Sequence, residues 1–432
     1  MPPAHTKPSL SADVSELNTS VSIAADTIQV DDKLYSTKIL ADIHPGGELF
    51  VKAFSGRDAT EAFMSYHRRK FPHNSIKGAC IGNAPKSADT MKDYLELCAI
   101  VEKVIPRHKS FAPASYYFKV LAIVLAVVGT EAYIHYTGNY VWYLTAPLGF
   151  FMALVGLNIQ HDANHGAISK YPVVNRIFGL SQNWIGGSSI DWIHQHVVQH
   201  HLFTNDVHND PDIRGSEILR LNPLKPLMHY HIVQHIYVFF LILIFGIIMI
   251  LSSFAHVLAG ENMTKMSTLL PNERMLDTLS SVVFFFRWFV LPLYQKFSIY
   301  TLMNIFPMFV VGGYYLAFFF IISHNFEGVV LFDQTKRKSK SSFLYDQVVT
   351  SSNVGGAWLC FLNGGLNYQI EHHLFPRMQH THYPRIAPIV KKFCEERNIR
   401  YNHFPTVYDN FIACVKHLRT LGSTPIPSAF VQ

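Results

Sequence analysis

Seven histidines stand in three tight groups: His161 with His165, His196 with His200 and His201, and His372 with His373. Residues four apart on a helix share a face, so His161-Asp162-Ala163-Asn164-His165 and His196-Val197-Val198-Gln199-His200 each aim two imidazoles the same way. His201 is turned about 100° further round, which directs it to a second ion beside the first. Gln369-Ile370-Glu371-His372-His373 repeats the form with an amide in the leading position. Imidazole suits Fe, Zn, Cu or Ni, so the donor type alone does not choose the metal. One helical pair is an ordinary polar face; three such groups on one predicted face point to a metal centre. Asp162, Asn164, Asp210 and Asp212 are read either as acceptors for the outer imidazole N–H groups or as helix caps. His194, His208, His229, His231, His235, His256, His380 and His382 are expected at the surface or an interface.

A different pattern precedes these. His44-Pro45-Gly46-Gly47 is followed by Gly56-Arg57-Asp58-Ala59-Thr60, by Phe63 and by Tyr66-His67. Two histidines beside tight turns can clamp a planar cofactor from both sides. Bis-imidazole ligation leaves no open position on iron and suits electron transfer rather than oxygen chemistry. The competing reading is a Pro-Gly-Gly turn carrying two surface histidines.

The elements that must position these groups are largely apolar. Hydrophobic residues make up 49% and charged residues 15%, with 33 Phe and 21 Tyr, a balance suited to lipid. A net charge of +6 needs no nucleic-acid partner to explain it. Cys80, Cys98, Cys360, Cys394 and Cys414 show no paired spacing, so neither a disulfide framework nor a thiolate site is indicated. Residues 1–27 have no apolar core and are expected to be a disordered tail without a signal peptide. Residues 28–95 are water-compatible, and 96–116 read as a linker or a short amphipathic stretch. The remainder, 117–432, holds four expected membrane spans at about 117–136, 141–160, 235–256 and 300–322. Val282–Leu293 is short and carries Arg287, so it is expected to lie on or dip into the membrane. If the histidine groups serve one centre, an even number of crossings must separate His201 from His372, which agrees. Basic residues gather on the histidine side, at Arg68–Lys70, at Lys336, Arg337, Lys338 and Lys340, and at Lys391 and Lys392. By charge asymmetry that side is cytosolic.

The N-terminal pattern resembles the cytochrome b5 haem-binding domain, which implies a small α+β fold, haem b, and His44 and His67 as its axial ligands. A tryptophan often found before the motif is missing, and Arg68-Arg69-Lys70 makes docking to a reductase through an acidic face less direct. The three histidine boxes, in this order and relation to the spans, resemble those of membrane fatty acyl desaturases. The fused haem domain and Gln369 are similar to the front-end branch. That resemblance implies an all-α membrane domain with a cytosolic cap holding two irons. Its ligands would be His161, His165, His196, His200, His201, His372 and His373, with His324 completing the set and Gln369 tuning the site or holding a water. It further implies an endoplasmic reticulum protein that takes electrons from NADH-cytochrome b5 reductase. The enzyme would use O2 to insert a cis double bond into a polyunsaturated acyl chain on CoA or phospholipid, on the carboxyl side of an existing one.

Gln160–Ala167, Ser351–Gly356 and Asn363–Asn367 look most like Δ5 desaturases of algal type, with Δ6 enzymes as near relatives. A sphingolipid long-chain-base desaturase, a di-iron hydroxylase and a membrane-anchored electron carrier remain as alternatives, the histidine boxes arguing against the last.

Overall fold

The structure is a computed structural model that describes residues 23–85, 89–214, 217–259, 270–333 and 342–423. Most of the expected tail and the basic group Lys336–Lys340 lie outside these, as does the side chain of His256.

The N-terminal unit is α+β. Its four-stranded sheet has the order β3 (Arg57–Asp58), β1 (Thr27–Val30), β2 (Lys33–Ser36), β4 (Cys80–Asn83). β1 pairs antiparallel with β2 and parallel with β3. Helices α1 (Thr37–Ile43), α2 (Glu48–Ala53) and α3 (Thr60–His67) stand beside it. The Asp58 carboxylate accepts the Thr60 N–H at 2.9 Å, satisfying an orphan donor where α3 begins. Arg68, in the left-handed region at φ 51°, ends the same helix.

Of the two readings of the segment from 96, the amphipathic one describes its first part. α4 (Lys92–Val104) buries Tyr94, Leu97, Cys98 and Val101 in one core with Leu374, Phe375, Tyr383 and Val390 around the third box. Its apolar positions recur at helical spacing, so they supply a core face rather than a tether.

α5 (Ala114–Thr137) ends at Gly138, whose φ of +62° permits the turn into α6 (Trp142–Val155). α6 runs through a π-helical turn, Gly156–Gln160, into α7 (His161–Asn164). Among the described residues five helical stretches are long and apolar enough to cross a membrane: 107–137, 142–164, 229–255, 271–295 and 299–324. They form the helical body expected from the sequence. α6 packs tightly on the helix Ile299–His324, where a Cβ at Gly149 would sit 2.1 Å from the Met308 carbonyl oxygen.

The reading of Val282–Leu293 as an isolated short segment is corrected. It forms the latter part of a continuous helical stretch, 271–295, with a π turn at Phe286–Val290. Arg287 inside it donates to Glu131 of α5 through Nε at 2.6 Å and Nη2 at 2.7 Å. One end lies by the histidine groups, where Glu273 pairs with Arg176 and Asp277 accepts from Asn183 and Ser188. At the other end Gln295 meets His135 and Tyr140 beside the Gly138 turn. The segment 229–255 is placed differently. Gly246 touches Phe309 and Gly313 midway along their helix, and the Phe254 ring packs at a tilt on Phe285, midway along 271–295.

Candidate metal centre and haem cleft

The rings of His44 and His67 face one another with centroids 6.0 Å apart and planes at 74°. Each Nδ1 is held by a backbone carbonyl at 2.9 Å, His44 by Gly47 and His67 by Phe63, so each Nε2 is left for a ligand. Gly46 is required here because a Cβ would stand 2.6 Å from His44 Cε1. Burial pushes His67 down to about 3 and lowers His44 as well, favouring the neutral imidazole that iron binds. These residues fit a haem iron between two imidazoles. Beside His67 opens a cavity of about 240 Å³ lined by Arg68, Arg69, Arg107 and Arg377.

The boxes converge behind this cleft. Nitrogens of His161, His165, His196 and His372 lie within 4.8 Å of one another, as do those of His200, His324 and His373. His201 stands between the two groups, its Nε2 3.2 Å from His196 Nε2 and 3.0 Å from His372 Nε2, its ring stacked 4.4 Å from His373. This partition differs from the expected one, which kept His196 with His200 and sent His201 to the other ion. Ile193–His200 is π-helical, and its wider turn brings residues five apart, His196 and His201, onto one face.

Five of the imidazoles are held through Nδ1. His200 Nδ1 lies 3.1 Å from Asp210 and 3.3 Å from Asp212. His324 Nδ1 donates to the Thr350 carbonyl at 3.0 Å, and His373 Nδ1 to Gln347 Oε1 at 2.9 Å. His372 Nδ1 lies 3.3 Å from the Tyr383 hydroxyl and His165 Nδ1 2.8 Å from that of Tyr66. His161, His165 and His200 each keep a buried Nε2 with no hydrogen-bond partner among the described residues. Orphaned buried nitrogens are costly unless something binds them. The arrangement suits imidazoles that could hold a metal while their outer nitrogens are oriented from behind. Burial, with neighbouring imidazoles adding to it, holds His165, His196, His201, His372 and His373 well below the usual range, hence neutral.

Gln369 is closer to the centre than a water-bridged role requires. Its amide nitrogen is 2.9 Å from His324 Nε2 and 3.3 Å from His373 Nε2, while Oε1 is buried without a partner among the described residues. Amide orientation is an assignment, and the reversed amide directs Oε1 at the position those two nitrogens face.

Several sequence expectations need correction. Asp162 holds His380 rather than a box imidazole, with His380 Nδ1 at 2.6 Å, and Asn164 bonds Gln160 and Gly179. His380 and His231 are buried, not superficial, and His194 accepts from Arg57 across the domain junction at 3.2 Å. Tyr66, Gln347, Thr350 and Tyr383 were not identified as supports. Of these Tyr66 alone carried a signal, since it adjoins His67. Glu371 between the box positions is buried under Tyr401 and Asn353, and burial pushes its carboxyl up to about 7.

A bis-imidazole cleft docked on a buried imidazole cluster, at one end of a bundle of apolar helices, defines a metal-dependent membrane oxidoreductase. Residues 137–405 match the fatty acid desaturase family and 27–85 the cytochrome b5-like heme/steroid binding domain. The chain belongs to the fatty acid desaturase family, fused to a cytochrome b5-like domain as in front-end enzymes. It is 44% identical to an acyl-lipid (7-3)-desaturase of Rebecca salina, over 93% of this chain and 91% of the relative. It is 41% identical to one of the same name from Diacronema lutheri, with the same coverage of each chain. Identity is 32% to an acyl-lipid (8-3)-desaturase of Physcomitrium patens, over 91% of this chain and 87% of the relative.

Proposed function

We propose that the chain is a front-end polyunsaturated acyl-lipid desaturase whose two irons are held by His161, His165, His196, His200, His201, His324, His372 and His373. Gln369 completes the second position, and haem b is held by His44 and His67. The observation that carries this reading is the convergence of eight buried imidazoles, with Nε2 of His161, His165 and His200 left without a partner among the described residues. When bound, the iron pair would supply the O2-derived oxidant that an unactivated methylene needs, and the haem would carry single electrons to it. The overall change is –CH2–CH2– + O2 + 2 e⁻ + 2 H⁺ → –CH=CH– + 2 H2O, with electrons from NADH through cytochrome b5 reductase. The chain's own residues orient the ligands and keep the centre dry. Trp192 does part of the latter, with its ring 4.5 Å from His196 and within 5.5 Å of His161 and His165.

On regiochemistry, identities of 44% and 41% to relatives named (7-3) against 32% to one named (8-3) favour the (7-3) class over the Δ5 position expected from sequence. Δ5 insertion is the second reading, supported at 32% identity by a Delta(5) fatty acid desaturase of Dictyostelium discoideum. The acyl-lipid names favour a phospholipid carrier over CoA. Expression in a host fed polyunsaturated acids of several lengths, with the new bond located by mass spectrometry, decides. A Δ5 product alone overturns the (7-3) assignment, and no new double bond overturns the desaturase reading.

The same reading has the protein in the endoplasmic reticulum membrane with haem and histidines facing the cytosol. If all five apolar helices crossed, the second and third boxes would fall on opposite sides, which their shared cluster forbids. The crossing pair between them is therefore taken to be 271–295 and Ile299–His324, and 229–255 is taken not to cross.

A further inference from the structure

Tyr66 and His67 are consecutive residues at the end of α3, and they face different sites. His67 looks into the haem cleft, 6.0 Å from His44 by ring centroids. The Tyr66 hydroxyl lies 2.8 Å from His165 Nδ1, with the two rings 6.2 Å apart at an interplanar angle of 27°. The other nitrogen of His165 is one of the orphaned buried atoms of the imidazole cluster. If Nε2 takes the metal, Nδ1 carries the proton and donates it to the Tyr66 oxygen, which fixes both tautomer and ring orientation. Two residues thus join a haem ligand to a metal ligand by one peptide link and one hydrogen bond.

The junction around that bond is built rather than loosely tethered. Arg57 donates to His194 at 3.2 Å, two residues before the second box, and Arg68 donates to Ser110 at 3.0 Å. Ile28 and Val30 of the sheet share a core with Ile190, Ile193 and Val197, which lead into the π-helical second box. Apolar packing therefore sets the approach of the two units, and Tyr66 is the polar group that crosses from one centre to the other.

We propose that Tyr66 is the positioning residue for electron delivery, holding the haem-ligand helix against His165 so that donor and acceptor keep one fixed separation. This rests on the reading of His165 as a metal ligand and of the cleft as a haem site. The step served is a single-electron transfer that oxidises haem iron from ferrous to ferric and reduces the metal pair by one electron. Two such transfers, with electrons from the reductase, accompany each O2 consumed.

The test uses the full-length enzyme loaded with haem and iron, comparing wild type with Tyr66→Phe, which keeps the ring and removes the hydroxyl. Haem absorbance, iron content, the rate of haem reduction by reductase, and the rate of ferrous haem re-oxidation under O2 with acyl substrate are each measured. Tyr66→Phe is expected to keep haem, iron and the reduction rate while re-oxidation slows by about ten-fold, the scale of loss for a ligand's outer partner. Adding a separate soluble cytochrome b5 is expected to leave the slow haem phase of the variant unchanged. Re-oxidation within two-fold of wild type overturns the proposal, and so does loss of iron, which would make Tyr66 a support of the ligand alone. If wild-type haem itself is not re-oxidised faster when substrate is present, the desaturase reading fails first, and Tyr66 falls with it for that separate reason.

Discussion

Arg287 and Glu131 form a two-pronged ion pair between apolar helices, with side-chain exposures of 12% and 7%. Arg287 also lies over the Trp184 ring at 3.7 Å. Removing one member leaves a buried charge uncompensated, which costs about 3–5 kcal/mol, whereas replacing both with apolar groups is close to neutral. Arg287→Leu is therefore expected to lower the unfolding temperature in detergent more than Glu131→Leu combined with Arg287→Leu. Equal losses would mean that the pair carries no such coupling.

The second box predicts a separable effect on the metal. His200 is oriented by Asp210 at 3.1 Å, and Asp210 is fully buried. Asp210→Asn keeps the shape but removes the charge that favours a donating Nδ1–H. Iron affinity is expected to fall about ten-fold while the haem spectrum stays as in wild type. His200→Ala is expected to abolish product, again with haem intact. An Asp210→Asn enzyme with unchanged iron content under chelator challenge would remove Asp210 from the site.

How these residues stand to one another was legible only in part from the sequence. His161, His165, His196, His200, His201, His372 and His373 stood out by local spacing, and His324 only through the family resemblance, which expects a histidine after the last apolar run. Their partition did not, because the fall of His196 and His201 on one face depends on a π turn that spacing rules for α-helices miss. Glu131 and Arg287 each stood out as a charge in an apolar run, but 156 positions separate them and nothing local pairs them. Gln347 and Tyr383 lie in helices whose composition marks no chemistry, and tertiary packing alone brings them behind His373 and His372.

Gln369 gives a third prediction. Its amide is within 3.3 Å of both His324 Nε2 and His373 Nε2, so an apolar replacement leaves those nitrogens facing a gap. Gln369→Leu is expected to lose part of the iron and most of the product. Gln369→His, which restores a nitrogen donor, is expected to recover iron better than it recovers turnover. Metal analysis of the two variants side by side decides, and full iron in Gln369→Leu would place the amide outside the ligand set.

The crossing assignment can be read by labelling. Asn272 and Phe297 are exposed at opposite ends of the 271–295 stretch. Cys98, Cys360, Cys394 and Cys414 are buried, so a Cys80→Ser background leaves little to react. With a membrane-impermeant maleimide on sealed microsomes, Asn272→Cys is expected to react from the cytosolic side. Phe297→Cys is expected to react only after permeabilisation. Labelling of both from one side would return the segment to the interfacial position first expected from Arg287.

The last prediction concerns the basic cavity beside the haem cleft. Arg377 follows the third box, yet it lines the same cavity as His67 and Arg68, and after burial its charge adds to the lowering of both His44 and His67. A cation that disfavours a proton on the axial imidazoles also favours an added electron on the group between them. Removing it should therefore stabilise the ferric form. Arg377→Leu is expected to lower the haem midpoint potential by on the order of tens of millivolts, an effect weakened by salt in proportion to the cavity's exposure. Arg377→Lys, which keeps the charge, is expected to stay near the wild-type value, and His44→Ala should lose the haem spectrum altogether. Spectroelectrochemical titration of the full-length protein measures the two Arg377 variants, and the absorbance spectrum alone reads His44→Ala. Identical potentials for the leucine and lysine variants would show that the charge of Arg377 does not reach the haem, leaving the cavity's arginines to some other anion.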